Sequence, residues 1–140
     1  MRLVLDTDVV VAGMRSPTGA SAALLVAARK GLVVLVANVP LLIEYEATCG
    51  LAEHRLAAGL SEAEVAVFLD AIAAMVEPVE SHFLWRPRLR DPADEMVLEA
   101  AINGRAEAVV TFNRRDYAKA PAEFGIAVER PGDTLKRMSR

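Results

Sequence analysis

Short apolar runs alternate along this chain with longer stretches of helical spacing. Residues 2–6, Arg2-Leu3-Val4-Leu5-Asp6, are apolar and then end abruptly in acid, the pattern of a strand buried on both faces. Residues 32–37 and 108–111 are further apolar runs of strand length, and residues 125–129 give a last strand. Residues 79–85 read as a short strand or an irregular segment. Between the runs lie helical stretches. Residues 21–30 are rich in Ala and Leu, with Gly31 at the C′ position. A second helix enters through Asn38 and Pro40 and ends near Gly50. Ser61-Glu62-Ala63-Glu64 fits a capping box for a helix reaching residue 76. Asp91 and Pro92 supply the N-cap and first position of a helix ending at Asn103 and Gly104. Residues 131–138 form a terminal helix, and Ser16-Pro17-Thr18-Gly19 is turn chemistry.

Strands separated by helices predict an α/β fold with a parallel sheet covered on both faces. At 140 residues without a linker or repeat, the chain reads as one domain, residues 1–140. Its 54% hydrophobic content is mostly Ala, Val and Leu, enough for a substantial core. Nothing approaches the ~20 apolar residues of a membrane span. The run from Leu3 to Gly13 is broken by Asp6, Thr7 and Asp8 and lacks the lead-in of a signal peptide, so a cytoplasmic location is expected. Cys49 is alone, which excludes a disulfide framework and a cysteine-based zinc site; His54 and His82 are too far apart to suggest a histidine centre. A hard, oxygen-ligated ion is the metal this chain could build a site for.

The net charge of −3 conceals a gradient: residues 1–85 carry −5 and residues 86–140 carry +2. Basic residues cluster at Arg86, Arg88 and Arg90, and again at Arg114, Arg115 and Lys119, each beside an acidic motif. They fit either a solvated face or phosphate positioning next to a metal site.

Ligands of parallel sheets bind outside the carboxyl ends of the strands, where Asp6 and Thr111 are expected. A carboxylate ending a buried strand is costly without a counter-charge, and a metal supplies one; the plain alternative is a turn cap. Glu44 lies among Leu41, Leu42, Ile43 and Tyr45, an unusually apolar setting for an acid, though it could also sit at the exposed edge of a buried helix. Asp94 shares a helix side with Val97, Leu98 and Ala101 and so faces the core rim, whereas Asp91 is read as a cap. Thr111-Phe112-Asn113-Arg114-Arg115-Asp116-Tyr117 brings a hydroxyl, an amide and a carboxylate directly after a strand.

These motifs, in this order, resemble those of the PIN-domain family. Leu5-Asp6-Thr7-Asp8 is similar to its opening strand motif, Glu44 to its second acid, and the segment from Asp91 to Ala101 to its third, with Asp94 in the acidic position. Val110 to Tyr117 resembles the fourth motif, and Gly125 to Leu135 the closing strand and helix. The chain departs from the pattern twice: Asp8 stands where Asn is common and Asn113 where many members have Asp, so that either Asn113 or Asp116 could complete a metal set.

The resemblance implies a three-layer α/β/α sandwich and a Mg²⁺- or Mn²⁺-dependent endoribonuclease, the VapC-like toxin of a toxin–antitoxin pair, homodimeric and neutralised by an antitoxin. It assigns catalysis and metal binding to Asp6, Glu44, Asp94 and Asp116, with Asp6 and Asp94 as direct ligands. The RNA contacts fall to Thr111, Asn113, Arg114 and Arg115. One rival reading is a PIN-like fold that binds RNA or a partner without cutting. A second is a haloacid-dehalogenase-type phosphatase, whose nucleophile motif Asp6-Thr7-Asp8 also resembles. That family needs a Lys and an acidic pair after the Thr, and only the poorly spaced Asp116, Lys119 and Asp133 follow here.

Overall fold

Leu3, Val4 and Leu5 are sealed from solvent on both sides, which places the first strand at the centre of the molecule. The computed structural model describes residues 1–80, 92–117 and 119–139. The described residues form a five-stranded, wholly parallel sheet flanked by eight α-helices. Its strands are β1 (Arg2–Leu5), β2 (Val34–Ala37), β3 (Val76–Pro78), β4 (Ala108–Val110) and β5 (Ala127–Glu129), in the order β3-β2-β1-β4-β5. The helices are α1 (Thr7–Arg15), α2 (Ala20–Arg29), α3 (Val39–Cys49), α4 (Ala52–Ala58), α5 (Glu62–Met75), α6 (Pro92–Asn103), α7 (Ala120–Glu123) and α8 (Pro131–Met138). The expected α/β/α sandwich is thus present.

The strand order turns back on itself at β1. From there the chain builds outward through β2 and β3, then crosses to β4 and β5 on the other side. Such a reversal opens a crevice at the carboxyl ends of the two strands that flank it. The register fixes what stands there. Leu5 pairs with Val110, and the ladder continues as Asp6 N donates to Val110 O at 2.9 Å. Asp6 and Thr111 are therefore neighbours one residue beyond the sheet. On the far side of Thr111, its own N–H donates to Glu129 O at 2.9 Å, so β5 joins the same rim.

Several sequence signals act as expected. Both bonds of the capping box form, Glu64 N to Ser61 Oγ at 3.1 Å and Ser61 N to Glu64 Oε1 at 3.0 Å. Gly31 adopts φ +76 after α2, a left-handed conformation that favours glycine. Other features differ. Helix α1 follows β1 with no linker, because Asp6 ends the strand and caps the helix, accepting from Thr7 N at 2.8 Å. Its Val9, Val10 and Val11 are poor helix formers that continue the apolar run, so only tertiary burial identifies the helix. Gly13 permits its close packing: a Cβ there would meet Leu25 Cδ1 at 2.7 Å. Val76–Pro78 forms a strand, since the chain turns from α5 straight into the ladder beside β2, and Val79 and Glu80 lie just beyond it. Residues 81–85, the arginines 86, 88 and 90, and the Asp91 cap lie outside the described residues. Among the described residues no single helix is long and apolar enough to cross a membrane.

Candidate active site at the carboxyl ends of the strands

Asp6 is only 9% exposed, and its carboxylate is held from three directions. Oδ1 accepts from Thr7 N at 2.8 Å, while Oδ2 accepts from Thr111 Oγ1 at 2.8 Å and from the Tyr117 hydroxyl at 2.9 Å. Each carboxylate oxygen offers two acceptor positions. Both on Oδ2 are taken, and one on Oδ1 stays open to a ligand.

Asp8, one position into α1, is fixed from the opposite side. Its Oδ2 accepts from Phe112 N and from Asn113 Nδ2, each at 3.1 Å. Its Oδ1 is buried with no hydrogen-bond partner. Burial first, and the adjacent Asp6 charge second, push the Asp8 carboxyl up from 3.8 to about 6; the Phe112 and Val9 N–H groups and the Thr111 hydroxyl pull against them. Two carboxylates are thus crowded together, and one of them keeps a buried oxygen without a donor.

The loop after β4 is as firmly set as the acids. Thr111 is fully buried, gives its hydroxyl proton to Asp6, and accepts Asn113 N at 3.0 Å. Tyr117, also fully buried, closes a 3₁₀ turn over Arg114–Tyr117 and returns its hydroxyl to Asp6. Burial raises the Tyr117 phenol far above its ordinary range, and the charges of Asp6, Asp94 and Asp8 raise it further. The influence of those charges brings Asp94 into the same neighbourhood. Asp94 is 9% exposed, on the first turn of α6, whose Val97, Leu98 and Ala101 are buried as expected.

Two bonds aim the helices. Asn38, at the end of β2, caps α3 by accepting Leu41 N at 3.0 Å and donates Nδ2 to Met96 O at 3.1 Å, tying α3 to α6. Tyr45, on the buried face of α3, donates its hydroxyl to Leu5 O at the end of β1. Burial, then the charges of Asp6 and Cys49, raises this phenol as well.

The remaining acids are more exposed. Glu44 is half-buried and accepts from Thr48 Oγ1 at 3.3 Å. Asp116 is exposed and lines a hollow of about 640 Å³ with Phe112, Asn113, Arg114, Arg115, Val128 and Arg130. Among the described residues no three His, Cys, Asp or Glu side chains are grouped closely enough to hold a metal ion. The fit to a divalent cation is one of donor type and charge. It consists of adjoining carboxylates, an open acceptor position on Asp6, and the orphaned Asp8 Oδ1.

The sequence reading assigns metal binding to Asp6, Glu44, Asp94 and Asp116 and substrate contacts to Thr111, Asn113, Arg114 and Arg115, and it gives Asp8 no role. It missed the hydroxyls of Tyr45 and Tyr117 and the bridging amide of Asn38. Tyr45 belongs to the apolar stretch around Glu44, but the target of its hydroxyl depends on the packing of α3 across β1.

A central parallel sheet with acids at the reversal of its strand order places them where open α/β folds bind their ligands. Residues 2–115 match the PIN domain, and the chain belongs to the PIN-domain family. Members of that family are typically metal-dependent nucleases. No curated protein and no solved structure matches the chain significantly.

Proposed function

We propose that this chain is a divalent-metal-dependent endoribonuclease, the toxin of a toxin–antitoxin pair. The observation that carries the reading is the Asp6–Asp8 pair. One carboxylate is held rigidly by Thr111 and Tyr117, and the other keeps a buried oxygen without a donor. Asp6, Asp8 and Asp94 would hold Mg²⁺ or Mn²⁺, with Glu44 and Asp116 as outer ligands or water-orienting groups. A bound ion of this kind supplies a nucleophilic water near neutral pH and offsets charge on the phosphate oxygens. The protein's own part is positional. Thr111 and Tyr117 prevent Asp6 from rotating, and Asn113 does the same for Asp8. Asn38 and Tyr45 hold α3 against β1 and α6, so that Glu44 and Asp94 approach from fixed directions. Arg114 and Arg115 supply charge for the RNA backbone.

Apolar surface supports the homodimer and the antitoxin partner. Val39 and Ile43 are 64% and 60% exposed beside a cleft of about 280 Å³ between α3 and α5. A second reading, a PIN-fold protein that binds RNA without cutting it, draws support from the absence, among the described residues, of three acids grouped closely enough to hold a metal ion. Purified protein incubated with structured RNA, with and without EDTA, separates the two. Cleavage that requires Mg²⁺ or Mn²⁺ and disappears in Asp6→Ala supports the nuclease. Binding that EDTA leaves unchanged, with no cleavage under any condition, supports the binder.

A further inference from the structure

Helix α4 has little of its own to hold it in place. Its seven residues bury no side chain, and its N-cap Leu51 makes no side-chain hydrogen bond. A helix of that length does not form alone in water, so its contacts with neighbours decide whether it stays folded. It packs against α1 and α3. Among the described residues, a single side-chain hydrogen bond joins it to another helix. Arg15, in the last turn of α1, lies with Nη1 3.1 Å from Nδ1 of His54.

The chemistry of that contact fixes the state of the ring. A guanidinium only donates and does not lose its proton in proteins, so Nδ1 is the unprotonated acceptor. The ring proton then sits on Nε2, 3.4 Å from Glu53 Oε1. A second proton, on Nδ1, sets donor against donor and cation against cation, and the contact is lost. Glu53 gains from that charge, but it lies on α4 itself and is 76% exposed, so its attraction does nothing to hold α4 on α1. Among the described residues no other charged group of these helices engages the ring. Asp8, the other charge of α1, is held by Phe112 and Asn113. On α3, Glu44 accepts from Thr48, and Glu46 lines the cleft towards α5. The Cys49 thiol, pushed up to about 11 by burial, stays neutral, and the Tyr45 hydroxyl is committed to Leu5 O. Arg55 of α4 turns to Leu60 O at 3.4 Å.

We propose that His54 is a pH-sensitive latch: its neutral ring holds α4 against α1 by accepting from Arg15, and a proton on Nδ1 releases α4. The sign follows from the acceptor. The contact belongs to the neutral ring, so it is present at the alkaline end and lost as pH falls. Histidine is the side chain suited to this, because it changes charge between about pH 5 and 8. The latch is independent of what the acid site does and holds equally in a chain that cuts nothing.

The test is amide hydrogen exchange of residues 52–58 in the full chain at about pH 8 and about pH 5, each rate divided by that of the unstructured chain at the same pH. Protection of α4 should fall about threefold in acid while that of β1 holds. His54→Gln offers Arg15 a carbonyl oxygen that does not titrate, so its α4 should be equally protected at both pH values. Arg15→Ala should show, already at the alkaline pH, the weaker protection that wild type shows only in acid. Protected β1 amides in each variant show that it folds. Long-range nitrogen–proton NMR at the alkaline pH should find the His54 proton on Nε2. The proposal is overturned by a ring proton on Nδ1 there, or by wild-type α4 equally protected at both pH values. It is also overturned if His54→Gln loosens in acid as wild type does, or if Arg15→Ala keeps wild-type protection at the alkaline pH.

Discussion

The Tyr117 hydroxyl donates to Asp6 Oδ2 at 2.9 Å across 111 residues of sequence, with both groups enclosed in the protein. A bond to an ionised group contributes more than a neutral one, and its loss inside a protein leaves the acceptor short of a donor. Tyr117→Phe, which keeps the ring, should therefore destabilise the fold by about 1.5–3 kcal/mol. Urea denaturation of the two proteins measures the difference, and a loss below about 0.5 kcal/mol would mean that Asp6 does not depend on this donor.

Metal ions should act on the same carboxylate. An ion that binds the folded chain and not the unfolded one raises Tm. We expect Mg²⁺ or Mn²⁺ to raise the melting temperature and EDTA to reverse the rise, while Asp6→Asn folds but responds little. A thermal shift in Asp6→Asn equal to that of wild type would remove Asp6 from the metal site.

The raised carboxyl of Asp8 gives a pH dependence of known sign. Its value climbs from 3.8 to about 6 on folding. A group raised in this way supports the fold below its unfolded value and loses that support as pH rises through the folded one. The ionised Asp8 of the metal-free chain should therefore oppose folding above about pH 6 and be neutral in both states below about pH 4. In EDTA, Asp8→Asn should be more stable than wild type at neutral pH and indistinguishable from it in acid. Denaturation at both pH values checks this, because the other carboxylates cancel in the difference. A variant less stable than wild type at neutral pH would contradict the reading.

Asn113 and Asp116 separate by their surroundings. Asn113 Nδ2 holds Asp8 Oδ2, whereas Asp116 is exposed among arginines. If the acids act as a unit on one ion, Asp6→Ala, Glu44→Ala and Asp94→Ala should each bring RNA cleavage near background, and a double variant should be scarcely worse. Asn113→Ala should weaken cleavage by loosening Asp8. Asp116→Ala should be severe only if Asp116 serves the ion. Cleavage rates for this pair, each with its RNA affinity, decide which residue completes the set. Unimpaired cleavage in Asp94→Ala would break the unit.

Much of this architecture could be read in advance, for identifiable reasons. Buried parallel strands are continuous apolar runs, so Asp6 and Thr111 were marked as strand ends by the polar residue that stops each run. The Ser61–Glu64 box and Gly31 are local chemistry and need no tertiary information. Helix α1 was hidden because Val9–Val11 prolong the apolar run of β1 and have weak helix propensity; only packing against α2 and α3 makes them helical. Helix α4 contributes no buried residue, so it carries no apolar stripe to detect. The direction of a tyrosine hydroxyl or of the Asn38 amide is a property of two elements meeting, and spacing along one element does not contain it.

The register that sets Asp6 beside Thr111 also governs timing. The pair is separated by 105 residues, so it cannot form by local search in a growing chain. Helix α1, the capping box of α5 and the β1–β2 ladder all lie within the first part to be synthesised, yet none of them completes the Asp6 carboxylate. Synthesis must pass β4 and reach Tyr117 before Asp6 gains its last donor. A ribosome that stalls earlier leaves a chain in which Asp6 lacks its Thr111 and Tyr117 donors. Completion of the Asp6 carboxylate thus waits until translation has passed Tyr117, as a property of strand order.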